Sequence, residues 1–504
     1  MYTHQLLELL KSFSKKEMMW FTKFLYSPYF NKRERIIKLF LILKRFYPDF
    51  EGKNFTKNNI YKLLYGTTTS YNDSTLRNLM SDLLLLAQQY LKQEGMEKKE
   101  IQSSFYLTQE LFKRGQITLF KNQMISNKTL LEKNSAADGE YFFNLSKVEI
   151  DSFYLNLLNE KVLKKSFVES ESRKLINGII FSLNHFVLES IKNNDNLLKY
   201  SRTYNLKRNI QTVTEFAEIF NFDKLISYVR NNSPQTVPII EVYHNLLKAF
   251  INFNNDSYYQ EFKKSVMLCS KHLGMNENNF LHARLIDYCV LKKNIGSNMS
   301  LDIDKELFDL HHIYVQNEFY KTESNYYLPF DIYRNVLLIC ITMKKLSFMQ
   351  DFIAKYSKKL IPQHITSVEN YSCALLCFEK GMFSKAQTYI NKIKFDQFVY
   401  KIDMKNLQLK ISYELEQFET AISMIDTFKH FLKNNELIAE SRRLLHFNFL
   451  NSTHSLIQYR TGSGKINLSY IAEKVKKSKN TFNKEWILEK IAEQTGKYKK
   501  SKVA

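Results

Sequence analysis

The chain of 504 residues is 44% hydrophobic and 14% aromatic, which excludes an intrinsically disordered protein, because such chains hold too little apolar surface to fold. Its 12 glycines and 6 prolines are few, and this argues against sandwiches, barrels and Rossmann folds, which need glycine in hairpins and phosphate loops. The net charge of +22 comes mainly from lysine and indicates a solvated surface, with attraction to an acidic partner as the alternative. We therefore predict an all-α fold.

Residues 1–100 are predicted to form an N-terminal bundle of five helices. The expected helix starts follow residues whose side chains accept backbone hydrogen bonds, namely Ser14, Asn31, Thr56, and Asn72 or Asp73. Ser14 and Glu17 match a capping box. The helix behind them is expected to bury Trp20, Phe21, Phe24 and Leu25. The expected helix ends lie at Ser27-Pro28, Pro48 and Gly66, since proline and glycine interrupt helices.

The rest of the chain divides into four predicted parts. Residues 101–230 continue as longer helices, and 231–238 is a linker that holds Pro234 and Pro238. Residues 239–460 are expected to form helix pairs, whose first helices begin near 237, 276, 329, 363 and 401. Residues 461–504 contain eleven lysines and four glutamates, and they predict a capping helix anchored by Trp486 and then a basic tail at 497–502.

One sequence pattern occurs twice, 35 residues apart. Glu379-Lys-Gly381-Met-Phe383-Ser-Lys-Ala386 is followed by Glu414-Leu-Glu416-Gln-Phe418-Glu-Thr-Ala421. This segment resembles the tetratricopeptide repeat, whose period is 34 residues. In that family a turn glycine precedes an aromatic residue and a small residue on the second helix. The resemblance implies an α-α hairpin repeat, a TPR-like solenoid, in the C-terminal half. The module at 1–100, with its Ser-Pro-Tyr-Phe-Asn turn at 27–31, resembles that of uncharacterised helical-repeat proteins and implies no activity.

The chain shows no sequence signature of catalysis, of a metal site or of a cofactor. Gly462-Ser-Gly464-Lys465 lacks the first glycine of a phosphate loop, where Tyr459 stands, and has Ile466 in place of the Ser or Thr that would hold magnesium. Cys373 and Cys377 share a helix face, but two further ligands for a metal are missing nearby. His311 and His312 are adjacent and point apart on a helix. We therefore expect a protein that is not an enzyme and that binds neither metal nor cofactor.

Cysteine usage and the N-terminal sequence point to the cytoplasm. All five cysteines fall in apolar helical stretches, which is typical of packed, reduced thiols. The first residues lack the basic and small-residue regions of a signal peptide. No apolar run approaches the length of a membrane span. We expect a cytoplasmic protein without a transmembrane segment, of unknown oligomeric state.

The first hypothesis for function is a scaffold or adaptor that binds a peptide or protein partner on the helical-repeat surface. If the two recognisable repeats present their first helices as the resembled family does, five residues line that surface: Tyr371, Phe378, Asn406, Lys410 and Tyr413. The aromatic residues would supply contact area and Lys410 a preference for acidic groups. The alternative is that these aromatic residues only pack against the next helix pair.

The second hypothesis is a nucleic-acid-associated regulator, with a basic N-terminal module and the repeats as a sensor. The basic residues of helix 31–46 flank an apolar stripe and could contact phosphates: Lys32, Arg33, Arg35, Lys38, Lys44 and Arg45. Residues 73–91 are a poor reading helix, because Arg77 is outnumbered there by Asp73 and Asp82. The lysine-rich C-terminal segment could likewise be a tether to an acidic protein, a nucleic acid or a membrane surface.

Overall fold

A computed structural model describes residues 5–133, 137–159, 164–204, 207–295, 302–322, 325–393, 398–435, 438, 440–463, 466–478 and 481–496. Regular structure within these ranges is entirely helical, which confirms the predicted all-α class. The chain forms two compact units. The first comprises residues 1–135, 139–186 and 231–234, and the second comprises 136–138, 187–230 and 235–504. The division therefore falls within one long helix, and the boundaries predicted near 100, 230 and 460 stay predictions.

The first unit contains eight helices and the beginning of a ninth among its described residues. They are α1 Gln5–Lys11, α2 Lys15–Tyr26, α3 Glu34–Lys44, α4 Lys57–Tyr65, α5 Asp73–Lys98, α6 Glu100–Lys113, α7 Ile117–Lys133, α8 Gly139–Asn159 and α9 Lys165–Tyr204.

The second unit continues from α9 through fifteen further helices in the described ranges. They are α10 Lys207–Ile219, α11 Phe222–Asn232, α12 Val237–Ile251, α13 Asp256–Cys269, α14 Met275–Ile295, α15 Ile303–Gln316, α16 Phe330–Thr342, α17 Leu346–Tyr356, α18 Ile365–Glu379, α19 Phe383–Ile390, α20 Phe398–Glu414, α21 Phe418–Lys433, α22 Glu440–Thr461, α23 Leu468–Lys477 and α24 Lys484–Gln494.

Helices α1–α5 surround one apolar core, and most of their predicted caps are confirmed. Ser14 and Glu17 form the capping box of α2, and the side chains of Thr56 and Asn72 cap α4 and α5. Asn31 is not the cap of α3, so that prediction is wrong. Its buried amide instead donates to the carbonyl of Leu25 at 3.0 Å, and its side-chain oxygen accepts from the backbone of Arg33 at 2.9 Å.

Trp20 does not belong to the core of the bundle, contrary to the sequence prediction. Its side chain is 43% exposed, whereas Phe21, Phe24 and Leu25 are buried. The ammonium group of Lys23 lies 4.4 Å from the centre of the Trp20 ring. The cation therefore covers an aromatic face that water would otherwise contact.

The second unit is built from helices that pack on their neighbours in the chain. The tightest of these pairs are α12 with α13, α14 with α15, and α18 with α19. First helices begin within three residues of the predicted positions, at Val237, Met275, Phe330, Ile365 and Phe398. The regular superhelix implied by the tetratricopeptide resemblance stays a prediction.

Three successive hairpin turns of this unit share one geometry. Lys344, Gly381 and Glu416 have left-handed φ angles of 55°, 73° and 58°. In each turn the next residue donates to the carbonyl five positions back: Lys345 to Cys340, Met382 to Cys377 and Gln417 to Ser412. This is the Schellman ending of a helix, which satisfies carbonyls that the helix leaves open. Glu416 thus adopts the conformation of the glycine that it replaces in the repeated sequence pattern.

Candidate protein-binding site

The structure places all five residues of the predicted partner surface in the interior of the second unit. Tyr371 and Phe378 lie on α18, and Asn406, Lys410 and Tyr413 lie on α20. None of these residues is more than 9% exposed. Neighbouring helices of the same chain cover them, so the face that they form is occupied rather than open.

Tyr371 and Asn406 belong to a polar layer that runs across α16, α18, α20 and α22. Arg334 on α16 forms two hydrogen bonds with the carboxylate of Asp403 on α20, one of them 2.8 Å long. Burial raises the pKa of Tyr371 well above its ordinary value, and the Asp403 carboxylate raises it further. The side chain of Asn406 faces the ring of His446 on α22, and burial lowers the pKa of that imidazole to about 4. Polar contacts therefore link α16 to α20 and α20 to α22.

Lys410 and Tyr413 contact the C-terminal helix α24, and Phe378 lies beside Lys410. Lys410 Nζ is 4.3 Å from the ring centre of Phe378 and 6.0 Å from that of Trp486 on α24. The Tyr413 ring meets Trp486 edge to face, with 5.2 Å between the ring centres, and its hydroxyl accepts a hydrogen bond from Gln494. We call this contact surface of α18, α20 and α22, which includes Glu414 and Phe449, the α24-binding face.

Two carboxylates at equivalent positions of the repeated sequence pattern each meet a lysine. Glu379 Oε1 lies 4.0 Å from Lys410 Nζ, and Glu414 Oε1 lies 2.8 Å from Lys490 Nζ on α24. Glu414 also accepts a hydrogen bond of 2.9 Å from the indole nitrogen of Trp486. The C-terminal helix therefore supplies to α20 the kind of cation that α20 supplies to α18.

Burial shifts the pKa values of the charged residues on this face. Desolvation lowers the pKa of the Lys410 ammonium, although Glu379 and Glu414 oppose that shift, and desolvation raises the pKa of Glu379. Desolvation is the largest single effect on Lys490 and acts to lower its pKa, but the contacts with Glu414 and Glu493 together outweigh it and raise the pKa. A cation from α24 is thus stabilised where the α24-binding face carries an acidic group.

Cys373 and Cys377, the two cysteines that share a helix face, lie in the described structure as free thiols. All five cysteines are free, and burial raises the pKa of both Cys373 and Cys377, which disfavours the reactive thiolate. The described part of the chain contains no group of three or more His, Cys, Asp or Glu residues that could hold a metal ion. Gly464 and Lys465 lie outside the described residues, as do residues 497–502 of the predicted basic tail.

Some contacts at the α24-binding face could be predicted from the sequence, and others could not. Trp486 stands out as a large residue in a polar C-terminal segment. Glu414 opens the second copy of the repeated pattern, but its role depends on Lys490, 76 residues later. The equivalent positions of Glu379 and Glu414 in the repeated pattern are the one sequence feature that indicates a shared role, which is to face a lysine.

No helix in the described part of the chain combines the length and apolarity needed to cross a membrane. Comparisons with models of known protein families, with curated proteins and with solved structures find no match to this chain.

Proposed function

We propose that this protein is a non-enzymatic scaffold that binds a helical segment of a partner protein on the α24-binding face. The observation that supports this proposal is the way in which α24 itself sits there. Its apolar residues Trp486, Ile487 and Ile491 are buried, and Lys490 pairs with a carboxylate on the face. An amphipathic helix seated across other helices is a recurrent mode of peptide recognition.

The chemistry of the face defines the partner that fits. Trp486 and Lys490 are four residues apart, so they project from the same side of α24. Trp486 fills the space beside Tyr413 and Phe449, with ring centres 5.2 and 6.0 Å away. Glu414 receives both the indole N–H and the ammonium group. A partner helix with an aromatic residue followed by a lysine four positions later would reproduce these contacts and displace α24.

Peptide binding to the full-length chain tests this proposal. Trp486→Ala in the chain weakens the resident α24, and a labelled peptide of residues 481–496 is then added. We expect this peptide to bind at least about tenfold more tightly than a peptide carrying Trp486→Ala, because the buried aromatic residue supplies most of the contact. A peptide with Glu485→Ala is the control, since Glu485 is exposed. Equal binding of all three peptides would exclude the α24-binding face as a peptide site.

Capture of partners from the protein's own cell lysate, with and without nuclease, then identifies the natural ligand. We expect a protein that is retained after nuclease treatment and released by the 481–496 peptide. A protein that the peptide does not release binds elsewhere on the chain and would contradict the proposed site.

The second candidate function is a nucleic-acid-associated regulator that uses the N-terminal module. The observations in its favour are the exposed Trp20 beside Lys23 on α2, and the exposed basic residues Lys32, just before α3, and Arg35 and Lys38 on α3. Aromatic rings can stack on bases while lysines contact phosphates. Binding of single-stranded oligonucleotides at several salt concentrations tests it, since counterion release makes such binding fall steeply with salt. Absent or salt-independent binding would exclude this function.

A further inference from the structure

A cavity of about 410 Å³ lies in the second unit between α11, α12 and α13, apart from the α24-binding face. Each helix contributes one stripe of four residues at positions i, i+3, i+4 and i+7, the spacing of a single helix face. The stripes are Asp223, Ile226, Ser227 and Arg230; Glu241, His244, Asn245 and Lys248; and Glu261, Lys264, Ser265 and Leu268. None of these twelve residues was predicted from the sequence to be functional.

Ion pairs between α11 and α12 mark the two ends of the cavity. Arg230 Nη2 lies 2.6 Å from Glu241 Oε1, and Lys248 Nζ lies 3.4 Å from Asp223 Oδ1. Each pair joins the first residue of one stripe to the last residue of the other, so the two helices run in opposite directions. Seven residues of helix separate the pairs along each stripe, which corresponds to roughly 10 Å. The cavity is therefore short, and its end charges are already neutralised by one another.

Helix α13 contributes two side chains of opposite charge to the cavity, Glu261 and Lys264. Glu261 and Lys264 are exposed on α13, and neither forms an ion pair or a side-chain hydrogen bond in the part of the chain that the structure describes. Side chains three residues apart on a helix have Cβ atoms about 5–6 Å from each other. The cavity as a whole holds three acidic and three basic side chains. Its formal charge is zero although the chain is strongly basic, so it favours a ligand without net charge.

The imidazole of His244 also lines the cavity and is only 7% exposed. Its nearest charged partner is Asp223, 3.9 Å from Nδ1, which is too far for a hydrogen bond. Burial lowers the pKa of His244 to about 4, and the nearby Lys248 contributes to that shift. The ring is therefore neutral at pH 7 and carries one N–H donor and one acceptor nitrogen.

We propose that this cavity binds a small zwitterion of the dipeptide class. The ligand ammonium group would pair with Glu261 and its carboxylate with Lys264, and its amide would lie near His244. A dipeptide carries an ammonium group and a carboxylate at the two ends of one peptide unit, so its two charges are opposite in sign to those of Glu261 and Lys264. The volume of about 410 Å³ leaves room for two side chains beside Leu268 and Ile226. The proposal does not depend on the function proposed above.

Calorimetric titration of the full-length chain with Ala-Leu tests this assignment, with N-acetyl-Ala-Leu, Ala-Leu amide and free leucine as comparison ligands. We expect Ala-Leu to bind and each capped form to bind at least about tenfold more weakly, because each cap removes one charged partner. Lys264→Ala is expected to weaken Ala-Leu binding by about the same factor and to abolish the further effect of C-terminal amidation. Glu261→Ala is expected to weaken Ala-Leu binding by a similar factor and to abolish the further effect of N-acetylation.

Both variants replace exposed residues and are expected to fold normally, and Lys271→Ala, an exposed lysine outside the cavity, is the control. Three results would overturn the proposal: no binding of Ala-Leu at about 10 mM, equal binding of the capped forms, or binding that Lys264→Ala and Glu261→Ala leave unchanged. Free leucine that binds as tightly as Ala-Leu would overturn the dipeptide class, since one residue would then satisfy the site.

Discussion

The indole nitrogen of Trp486 donates a hydrogen bond of 2.9 Å to Glu414, a residue 72 positions earlier in the chain. The same carboxylate accepts the ammonium group of Lys490 at 2.8 Å, one helical turn further along α24. A single acidic residue at the end of α20 therefore receives hydrogen bonds from two side chains of the C-terminal helix. The ring of Trp486 also packs beside the rings of Tyr413 and Phe449, so the hydrogen bond and the ring packing can be separated by mutation.

Trp486→Phe is expected to loosen α24 mildly and Trp486→Ala strongly. Phenylalanine keeps a ring beside Tyr413 and Phe449 but loses the N–H donor, which costs about 1 kcal/mol. Alanine also removes the buried ring, which costs about 3–5 kcal/mol. Hydrogen exchange of the α24 amides in the full-length chain measures both effects, with Glu485→Ala as the control. Unchanged protection of α24 in Trp486→Ala would show that the indole does not hold the helix.

The hairpin turns predict opposite effects for two substitutions at equivalent positions. Lys344 has a φ of 55° and Gly381 a φ of 73°, a region that costs a residue with a Cβ atom about 1–2 kcal/mol. Lys344→Gly is therefore expected to stabilise the protein by about 1 kcal/mol, and Gly381→Ala to destabilise it by a similar amount. Chemical denaturation measures both. Lys344→Ala is the control, because it removes the side chain but keeps the strained backbone. If Lys344→Ala also stabilised the protein, the gain in Lys344→Gly would come from removal of the lysine side chain and not from relief of backbone strain.

Two helical glycines in the first unit form a matched pair for testing close packing. A Cβ atom on Gly178 of α9 would lie 2.6 Å from Cγ1 of Ile150 on α8, whereas one on Gly95 of α5 would meet no atom within 4 Å. Gly178→Ala is expected to destabilise the protein by about 1–3 kcal/mol, because the two helices must move apart. Gly95→Ala is expected to stabilise it by up to about 1 kcal/mol, because alanine favours helices. If both variants were stabilised, the close approach of α8 and α9 would be refuted.

Features of the fold that depend on neighbours in the sequence were predictable, as the caps illustrate. Ser14, Thr56 and Asn72 bind backbone groups within three residues, so local chemistry was enough to place them. Asn31 has the same chemistry but binds the carbonyl of Leu25, because the turn before α3 brings that group close. Trp20 could lie on either side of the apolar stripe of α2, and only packing against the other helices decides that it is exposed.

At the α24-binding face, the sequence predicts which residues share one side of α18 and α20 but does not predict which helices cover them. The repeated pattern identified α18 and α20 as first helices and therefore the residues on one side of them. It contained no information about what covers those residues, since α24 lies outside the repeat and approaches from about 70 positions away along the chain. The cavity between α11, α12 and α13 escaped prediction for a related reason. In the sequence, each charged stripe resembles an ordinary solvated helix face. The cavity exists because the fold places three such stripes side by side.

The buried histidines of the second unit predict a loss of stability in acid. His311 is buried, its Nδ1 atom has no hydrogen-bond partner among the described residues, and burial lowers its pKa to about 4. His244, His282 and His446 show the same shift to about 4. Unfolding exposes these rings, which then take up protons near the ordinary pKa of 6.5. The unfolded state therefore binds more protons than the folded state between about pH 6.5 and pH 4, and stability falls as pH decreases through this range.

A single buried ring with this shift accounts for up to about 3 kcal/mol of that loss. His311→Gln is expected to lower stability at pH 7 but to make the decline between pH 7 and pH 4.5 shallower, because glutamine does not titrate. His312→Gln removes the exposed neighbour on the same helix and is expected to keep the decline of the unmodified protein. Urea denaturation at each pH gives the two slopes. An identical decline in both variants would mean that folding does not lower the pKa of His311, and the acid sensitivity would then belong to other groups.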